Sequence, residues 1–157
     1  MAYKRDQILE RHELYDNYAG RWEYYIRSFL GGEEYKGGRY LQEYNLELEN
    51  EFEKRLQFTP LDNHCRNIVH IYSSFLFRVK PTRKLESLND DAATQLFLDD
   101  ADLEGRSFDA LMREVQQYAS VYGHCWLLLD KPNSNARTRA EELQQEIRPY
   151  MNIYTPE

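Results

Sequence analysis

The sequence predicts an α+β fold that is mostly helical, with a small β-α-β unit near the C-terminus. Several segments before Gly123 carry apolar residues at three- and four-residue steps, the spacing of an amphipathic helix. The pattern then changes at once to an apolar run over residues 124–130, which is typical of a strand. At 157 residues the chain fits one domain by length, so we expect a single region over residues 1–157.

The most apolar segment, residues 59–81, is expected to form the central helix of the fold. Thr59 is a candidate cap, Pro60 suits the first helical position, and Pro81 ends the helix. A wide apolar stripe predicts that this helix is buried on more than one side, with the more polar segments packed around it. The stripe consists of Leu61, Cys65, Ile68, Val69, Ile71, Tyr72, Phe75, Leu76 and Val79.

The remaining elements follow from periodicity and from the residues that begin and end each segment. Ser107 is the predicted cap of a helix that Gly123 ends. Residues 33–44 are expected to be loop, with a short strand around residues 39–41 as the alternative. The other predicted helices span residues 6–30, 46–56, 92–98 and 137–147, and the last of these is a crossover between strands at 124–130 and 148–154.

The composition points to protein partners and away from a basic DNA-binding patch. The formal net charge is −7, whereas proteins that bind duplex DNA usually carry clustered basic residues. Aromatic residues reach 14%, with 13 tyrosines, and such residues are enriched at interfaces. A tyrosine-rich monomer core is the alternative interpretation. Cys65 and Cys125 are expected to be small buried side chains without a disulfide, and no run is long enough to span a membrane.

The sequence contains no motif with the spacing of a metal site and no recognised catalytic motif. His64-Cys65 and His124-Cys125 lack the paired spacing of a zinc site. No nucleophile elbow, phosphate-binding glycine loop or oriented dyad is present. We therefore expect no catalytic residue, no metal, no cofactor and no enzymatic activity. A nucleic-acid-processing enzyme subunit is the weakest alternative.

The segment Asp100-Ala-Asp-Leu-Glu104-Gly105 imitates the front of a calcium-binding EF-hand loop. The twelfth position of that loop requires a bidentate Glu, and this chain has Leu111 there. We predict that Asp100, Asp102 and Glu104 form an acidic turn that leads to the Ser107 cap and bind no calcium.

An ordered series of segments resembles the N-terminal part of a tailed-bacteriophage portal protein, the head–tail connector. The resemblance spans roughly residues 22–157 and lies in the order of the segments, since no single motif is specific. The segments are 22–32 (WEYYIRSFLGG), 38–41 (GRYL), 63–67 (NHCRN), 77–81 (FRVKP), 100–109 (DADLEGRSFD), 122–132 (YGHCWLLLDKP) and 148–157 (RPYMNIYTPE).

The resemblance implies a wing-like region of a structural virion protein. In the family, stem, clip and crown follow this region, so the chain is expected to be the N-terminal part of a longer portal protein. It would form a ring, usually a dodecamer, at one capsid vertex, and pass double-stranded DNA non-specifically during packaging and ejection. The implied partners are other copies, the major capsid protein, the terminase motor and tail adaptor proteins. The implied location is the virion, and the host cytoplasm during assembly, with no membrane contact.

The first helix supplies the candidate interface between subunits. One face carries residues suited to its own core, and a flanking edge carries further aromatics and cations. The residues assigned to this subunit interface are Tyr18, Arg21, Trp22 and Tyr25. The alternative function, of a different class, is an adaptor or regulatory module that binds partner proteins through the same tyrosine-rich helical faces.

Overall fold

The computed structural model describes residues 10–133, 135–145 and 147–157. Helices predominate in these residues and the sheet has two strands, which confirms the predicted α+β, mostly helical class. The elements are α1 (Glu13–Leu30), α2 (Gly32–Gly37), α3 (Glu49–Phe58), α4 (His64–Leu76), a 3-10 turn (Glu86–Leu88), α5 (Ala92–Asp99), α6 (Phe108–Tyr122), β1 (Trp126–Asp130), α7 (Arg139–Gln144) and β2 (Tyr150–Tyr154).

The chain divides into two compact units. Among the described residues, the first contains those from 10 to 67 together with 156–157, and the second contains those from 68 to 155. The division falls inside α4. The expectation that residues 1–157 form one portal-like region stays a prediction.

In the first unit, the end of α1 is tied to the start of α4. Gly31 adopts φ +69°, a conformation that favours glycine, and its N–H donates to the carbonyl of Arg27 at 2.8 Å. Asn63 Nδ2 and Arg66 Nε donate to the Phe29 carbonyl at 2.8 and 3.1 Å. Arg66 Nη2 donates to the carbonyl of Leu30. The last carbonyl groups of α1, which have no partner inside the helix, are therefore satisfied by side chains.

In the second unit, α6 supplies most of the buried apolar surface. Ser107 Oγ accepts from the Ala110 N–H at 3.3 Å and Gly123 ends the helix at φ +87°, as predicted. Leu111 and Tyr122 on this helix are 1% and 3% exposed. The capping residues therefore identified both ends of this helix, and its apolar period identified the buried side.

The two strands form an antiparallel pair. The register runs from Trp126 opposite Tyr154 to Asp130 opposite Tyr150. The predicted order of strand, helix and strand is confirmed, but the crossover is wrong, because a crossover joins parallel strands. Helix α7 lies instead in the connection of an extended hairpin. All five residues of β1 are exposed.

The acidic segment before α6 is held by a buried arginine. Arg148 Nη2 lies 2.5 Å from Asp100 Oδ2, and Arg148 Nη1 donates to the Asp100 carbonyl. Ala101 is fully buried, and its carbonyl accepts from the Met151 N–H at 2.8 Å. These contacts attach the start of β2 to the segment that leads into α6.

The predicted central helix is shorter than expected at both ends. Thr59 closes α3, since its N–H and hydroxyl both donate to the Arg55 carbonyl, at 2.9 and 2.5 Å. Asn63 caps α4 instead, accepting from the Arg66 N–H at 2.9 Å through Oδ1. The helix ends at Leu76, four residues before the predicted stop at Lys80.

The predicted burial of α4 on more than one side is wrong. Ser73, which is 2% exposed, is its buried residue, and Ser73 Oγ accepts from Gln117 Nε2 at 3.4 Å. The apolar stripe lies on the opposite side of the helix and faces solvent, at 54–70% exposure. Its exposed members are Ile68, Ile71, Tyr72, Phe75 and Leu76 on the helix, together with Val79 in the turn that follows it.

Three smaller expectations also need correction. Residues 6–9 of the predicted first helix lie outside the described residues, and α1 begins at Glu13, where His12 Nδ1 accepts from the Leu14 N–H at 3.1 Å. The segment expected to be loop begins with a helix over residues 32–37. Acids in its first turn and Lys36 in its last turn suit the helix dipole. Neither cysteine is buried as expected. Cys65 is exposed because it lies at the edge of the outward stripe, and Cys125 is half-buried.

Candidate functional site

The four residues predicted as a subunit interface lie on α1, and three of them form one cluster. The rings of Tyr18 and Trp22 stack with centroids 6.0 Å apart, and the Arg21 guanidinium lies 5.3 Å from the Tyr18 ring centroid. Tyr25 lies beside Tyr24 instead, at 6.2 Å between ring centroids. Tyr18, Arg21 and Tyr25 are exposed and Trp22 is half-buried.

The α1 edge is ordered by its own neighbours. Trp22 also contacts Tyr15, with ring centroids 5.4 Å apart, so its indole is fixed between two tyrosines. Arg27 Nε donates to Glu23 Oε1 at 3.0 Å and Arg27 Nη1 donates to the Glu34 carbonyl at 3.0 Å. Aromatic side chains held in this way lose little entropy when a partner covers them. The edge is thus suited to binding another protein surface.

A second aromatic cluster lies at the far end of α1 in the same unit. The rings of Tyr24 and Tyr40 meet edge to face at 4.7 Å, and Tyr35 lies 5.2 Å from Tyr40. Partial burial, then the neighbouring Tyr24, raise the pKa of Tyr35, and burial with the nearby Glu23 raises the pKa of Tyr40. Both phenols are therefore neutral at pH 7 and act as packing groups with a polar tip.

The outward stripe of α4 is a surface that the periodicity located but assigned to the core. The sequence does carry a signal that separates it from a core helix. Residues 63–85 contain no Asp or Glu, although the whole chain is strongly acidic. Arg78, Lys80 and Lys84 near the end of the stripe are exposed. An apolar helix face beside unbalanced cations is typical of an interaction surface.

The acidic turn uses its carboxylates internally. Asp102 Oδ1 accepts from the N–H groups of Glu104 and Arg106 at 3.0 and 3.1 Å, and Asp102 Oδ2 lies 3.0 Å from Arg106 Nε. Asp100 Oδ1 accepts from the Gly105 N–H at 2.9 Å. Desolvation raises the pKa of Asp100, but the hydrogen bonds from Gly105 and Arg148 outweigh it, so the pKa is lowered.

A cleft of the second unit has a volume of about 700 Å³. Its floor is apolar and its rim is ion-paired, through Asp91 with Arg139 and through Glu142 with Lys131 at 2.7 Å. Carboxylates neutralised in this way are poorly suited to proton transfer. The floor includes Phe97, Phe108, Leu129, Ile147, Pro149 and Met151.

Within the part of the chain that the structure describes, no group of three or more His, Cys, Asp or Glu side chains lies close enough to hold a metal ion. No described helix is both long enough and apolar enough to cross a membrane. No protein-family model matches this chain, and no curated protein matches it.

Proposed function

We propose that the chain is the N-terminal, wing-like part of a ring-forming portal subunit, the head–tail connector of a tailed phage. One observation carries the proposal beyond the resemblance of the segments. Among the described residues, 24 large hydrophobic side chains are exposed, whereas five hydrophobic side chains are buried. A chain with so much apolar surface outside its core is suited to a permanent assembly, whose interfaces resemble a divided core.

The chemistry of the surfaces supports a structural role over a catalytic one. The aromatic edge of α1 and the stripe of α4 offer area for contact, while Asp100 and Asp102 of the acidic turn and the carboxylates of the cleft rim are ion-paired. The net charge of −7 also suits a channel through which DNA slides, because few cations are present to release counterions from phosphates.

In this proposal the ring, with a dodecamer as the expected size, occupies one capsid vertex and admits and releases double-stranded DNA. The terminase motor, the major capsid protein and tail adaptor proteins are the proposed partners. The subunit passes through the host cytoplasm before it enters the virion. It needs no cofactor, since its work is to hold position and shape.

The mass of the purified protein in solution tests the proposal. A portal subunit is expected to give particles many times the 18.9 kDa of the chain, and electron microscopy should show rings with a central opening. A species that stays monomeric at all concentrations, and that binds a single host protein, would support the adaptor alternative instead.

The α1 edge gives a sharper test, the double substitution Tyr18→Ala with Tyr25→Ala. The two side chains are 44% and 41% exposed, so the subunit should keep its helical circular dichroism. If the edge is the predicted interface, ring formation should need about 30-fold more protein, the effect of removing one hot spot of about 2 kcal/mol.

Phe58→Ala is the matched control, because Phe58 is also an exposed aromatic residue but lies on α3. It should assemble like the wild type. Normal assembly of the double variant at low protein concentration would show that the α1 edge is not a subunit contact.

A further inference from the structure

We infer that the outward stripe of α4 is the docking surface for a second copy of this chain, and that it docks head-to-tail onto an acidic surface of that copy. The inference rests on the proposed assembly of copies and names a surface for it that the α1 edge does not include. It is carried by the orientation of the helix, the area of the stripe and its charge.

The orientation of α4 is the reverse of that in a helix serving its own core. Ser73 is buried and hydrogen-bonded to Gln117 Nε2 at 3.4 Å, whereas Phe75 is 70% exposed. The exposed residues Ile68, Ile71, Phe75 follow one another at three- and four-residue steps, so they form one continuous row. A helix that packs its polar side inward leaves its apolar side for another partner.

The area of the stripe matches one side of a stable interface. With about 200 Å², the area of an aromatic side chain, as an upper value for every member, the six exposed members present at most about 750 Å². The largest apolar patch on a typical monomer is about 300–600 Å², and one partner of a standard interface contributes about 800 Å². The stripe alone therefore approaches the contribution of one complete partner.

The charge of the surrounding segment identifies the partner. Residues 63–85 carry five Lys and Arg residues and no acid, a formal charge of +5. Subtracting +5 from the −7 of the whole chain leaves −12 for all other residues. Arg83 is ion-paired with Asp109, but Arg78, Lys80 and Lys84 are exposed beside the stripe. A second copy of this acidic chain is thus electrostatically complementary to the segment.

The same charge argues against two α4 stripes pairing with each other. Either direction of pairing would bring one basic segment against another, and like charges across an interface are unfavourable. The contact is therefore heterologous, joining two different surfaces of successive copies. Heterologous contacts close into rings when the rotation between copies permits it.

The test combines Ile71→Asp and Phe75→Asp in the full chain and measures mass against concentration by sedimentation. Both side chains are more than half exposed, so circular dichroism and thermal melting should stay close to wild type. Assembly should require at least about 30-fold more protein. Assembly of the wild type should also weaken as salt is raised, since the proposed contact includes exposed charges.

Two control variants separate the stripe from the introduced charge. Ser74→Asp places one negative charge, half of that in the stripe variant, on an exposed position of α4 outside the stripe, and Leu46→Asp places one on an exposed apolar residue elsewhere. Both should assemble like the wild type. If either control disrupts assembly as strongly as the stripe variant, added negative charge is the cause and the stripe is not the docking surface.

Mixing tests the head-to-tail geometry. The stripe variant keeps its acidic surface, so an excess of it should cap wild-type assemblies and reduce their size. If the variant is monomeric but leaves wild-type assemblies unchanged, the contact joins two equivalent stripes and the heterologous contact is overturned.

The outcomes for the inference and for the portal proposal differ. Rings of the stripe variant at wild-type concentrations would overturn the inference and leave the portal proposal standing. Small open oligomers that depend on the stripe would support the inference and contradict the ring. A wild-type chain that remains monomeric and instead sediments with vesicles of phosphatidylserine and phosphatidylcholine would overturn both, and would assign the basic apolar face to a membrane surface.

Discussion

Helices α4 and α6 have the same kind of amphipathic sequence, but they bury opposite faces. Both carry a continuous apolar row at helical spacing. On α6 that row is turned inward, with Leu111 1% exposed, whereas on α4 the row is turned outward and Ser73 is the buried residue. The comparison teaches that periodicity identifies a helix and its apolar face, but not what covers that face.

The packing around each helix explains the difference. Near the start of α6, Phe108 contacts Phe97 of α5, with ring centroids 5.6 Å apart, and Cys125 Sγ lies 3.7 Å from the Val115 carbonyl. α4 meets α6 through the hydrogen bond between Gln117 and Ser73. The polar side of α4 is therefore the one that faces α6.

The largest expected effect on stability is the difference between truncating a leucine on α6 and truncating one on α4. Leu111→Ala should lower the free energy of unfolding by about 3 kcal/mol, because it empties a buried site. Leu76→Ala removes the same atoms from a side chain that is 64% exposed, and should change stability by less than about 0.5 kcal/mol. Urea denaturation of dilute protein measures both variants. Equal losses would mean that the α4 stripe is covered within the single chain.

A smaller effect is expected from the anchor of the segment that leads into α6. Asp100→Asn leaves the buried Arg148 guanidinium without its carboxylate, and should cost about 2 kcal/mol near neutral pH. Asp90→Asn, the same change at an exposed position before α5, is the control and should cost less than about 0.5 kcal/mol.

The pH dependence of Asp100 has a defined sign. Its pKa is lower in the folded chain than the ordinary value of about 3.9, so the folded state binds fewer protons in that range. The stabilisation is complete above the ordinary pKa and is lost as the pH falls through the lowered one. Stability of the wild type should therefore fall more steeply below about pH 4 than that of Asp100→Asn. Parallel acid profiles would contradict this assignment.

The smallest effects concern the caps with which the two helices begin. Ser107→Ala removes one side-chain hydrogen bond at the start of α6 and should cost about 1 kcal/mol. Asn63→Ala should cost slightly more, because Asn63 also donates to the Phe29 carbonyl at 2.8 Å. Thermal melting of the two variants compares the caps directly. A neutral Asn63→Ala would mean that α4 is positioned by Arg66 alone.

How far the sequence predicts the fold depends on whether a signal is local. Ser107 and Gly123 mark the ends of α6 correctly because capping involves only neighbouring residues. The same reasoning failed at Thr59, since one threonine can close a preceding helix or begin a following one, and the sequence does not decide between them. Strand direction was also predicted wrongly, because a helix between two strands is compatible with either direction and the sequence does not decide between them.

The candidate surfaces were predictable in part for a similar reason. Periodicity placed Tyr18 and Tyr25 on the edge of α1, where the structure leaves them exposed. It could not separate the α4 stripe from a core face, because both consist of the same residue types. The absence of acids from residues 63–85 is the signal that distinguishes them, and it is visible only against the charge of the whole chain.

The position of Cys65 provides an exposed thiol for selective labelling. Cys65 is exposed on the first turn of α4, on the same side as Tyr72 and Leu76, whereas burial raises the pKa of the half-buried Cys125 thiol. The thiolate is the nucleophile that attacks an alkylating reagent, so Cys65 should be modified before Cys125. A fluorophore can therefore be attached beside the stripe without any substitution, and its emission would follow the docking of a second copy in real time.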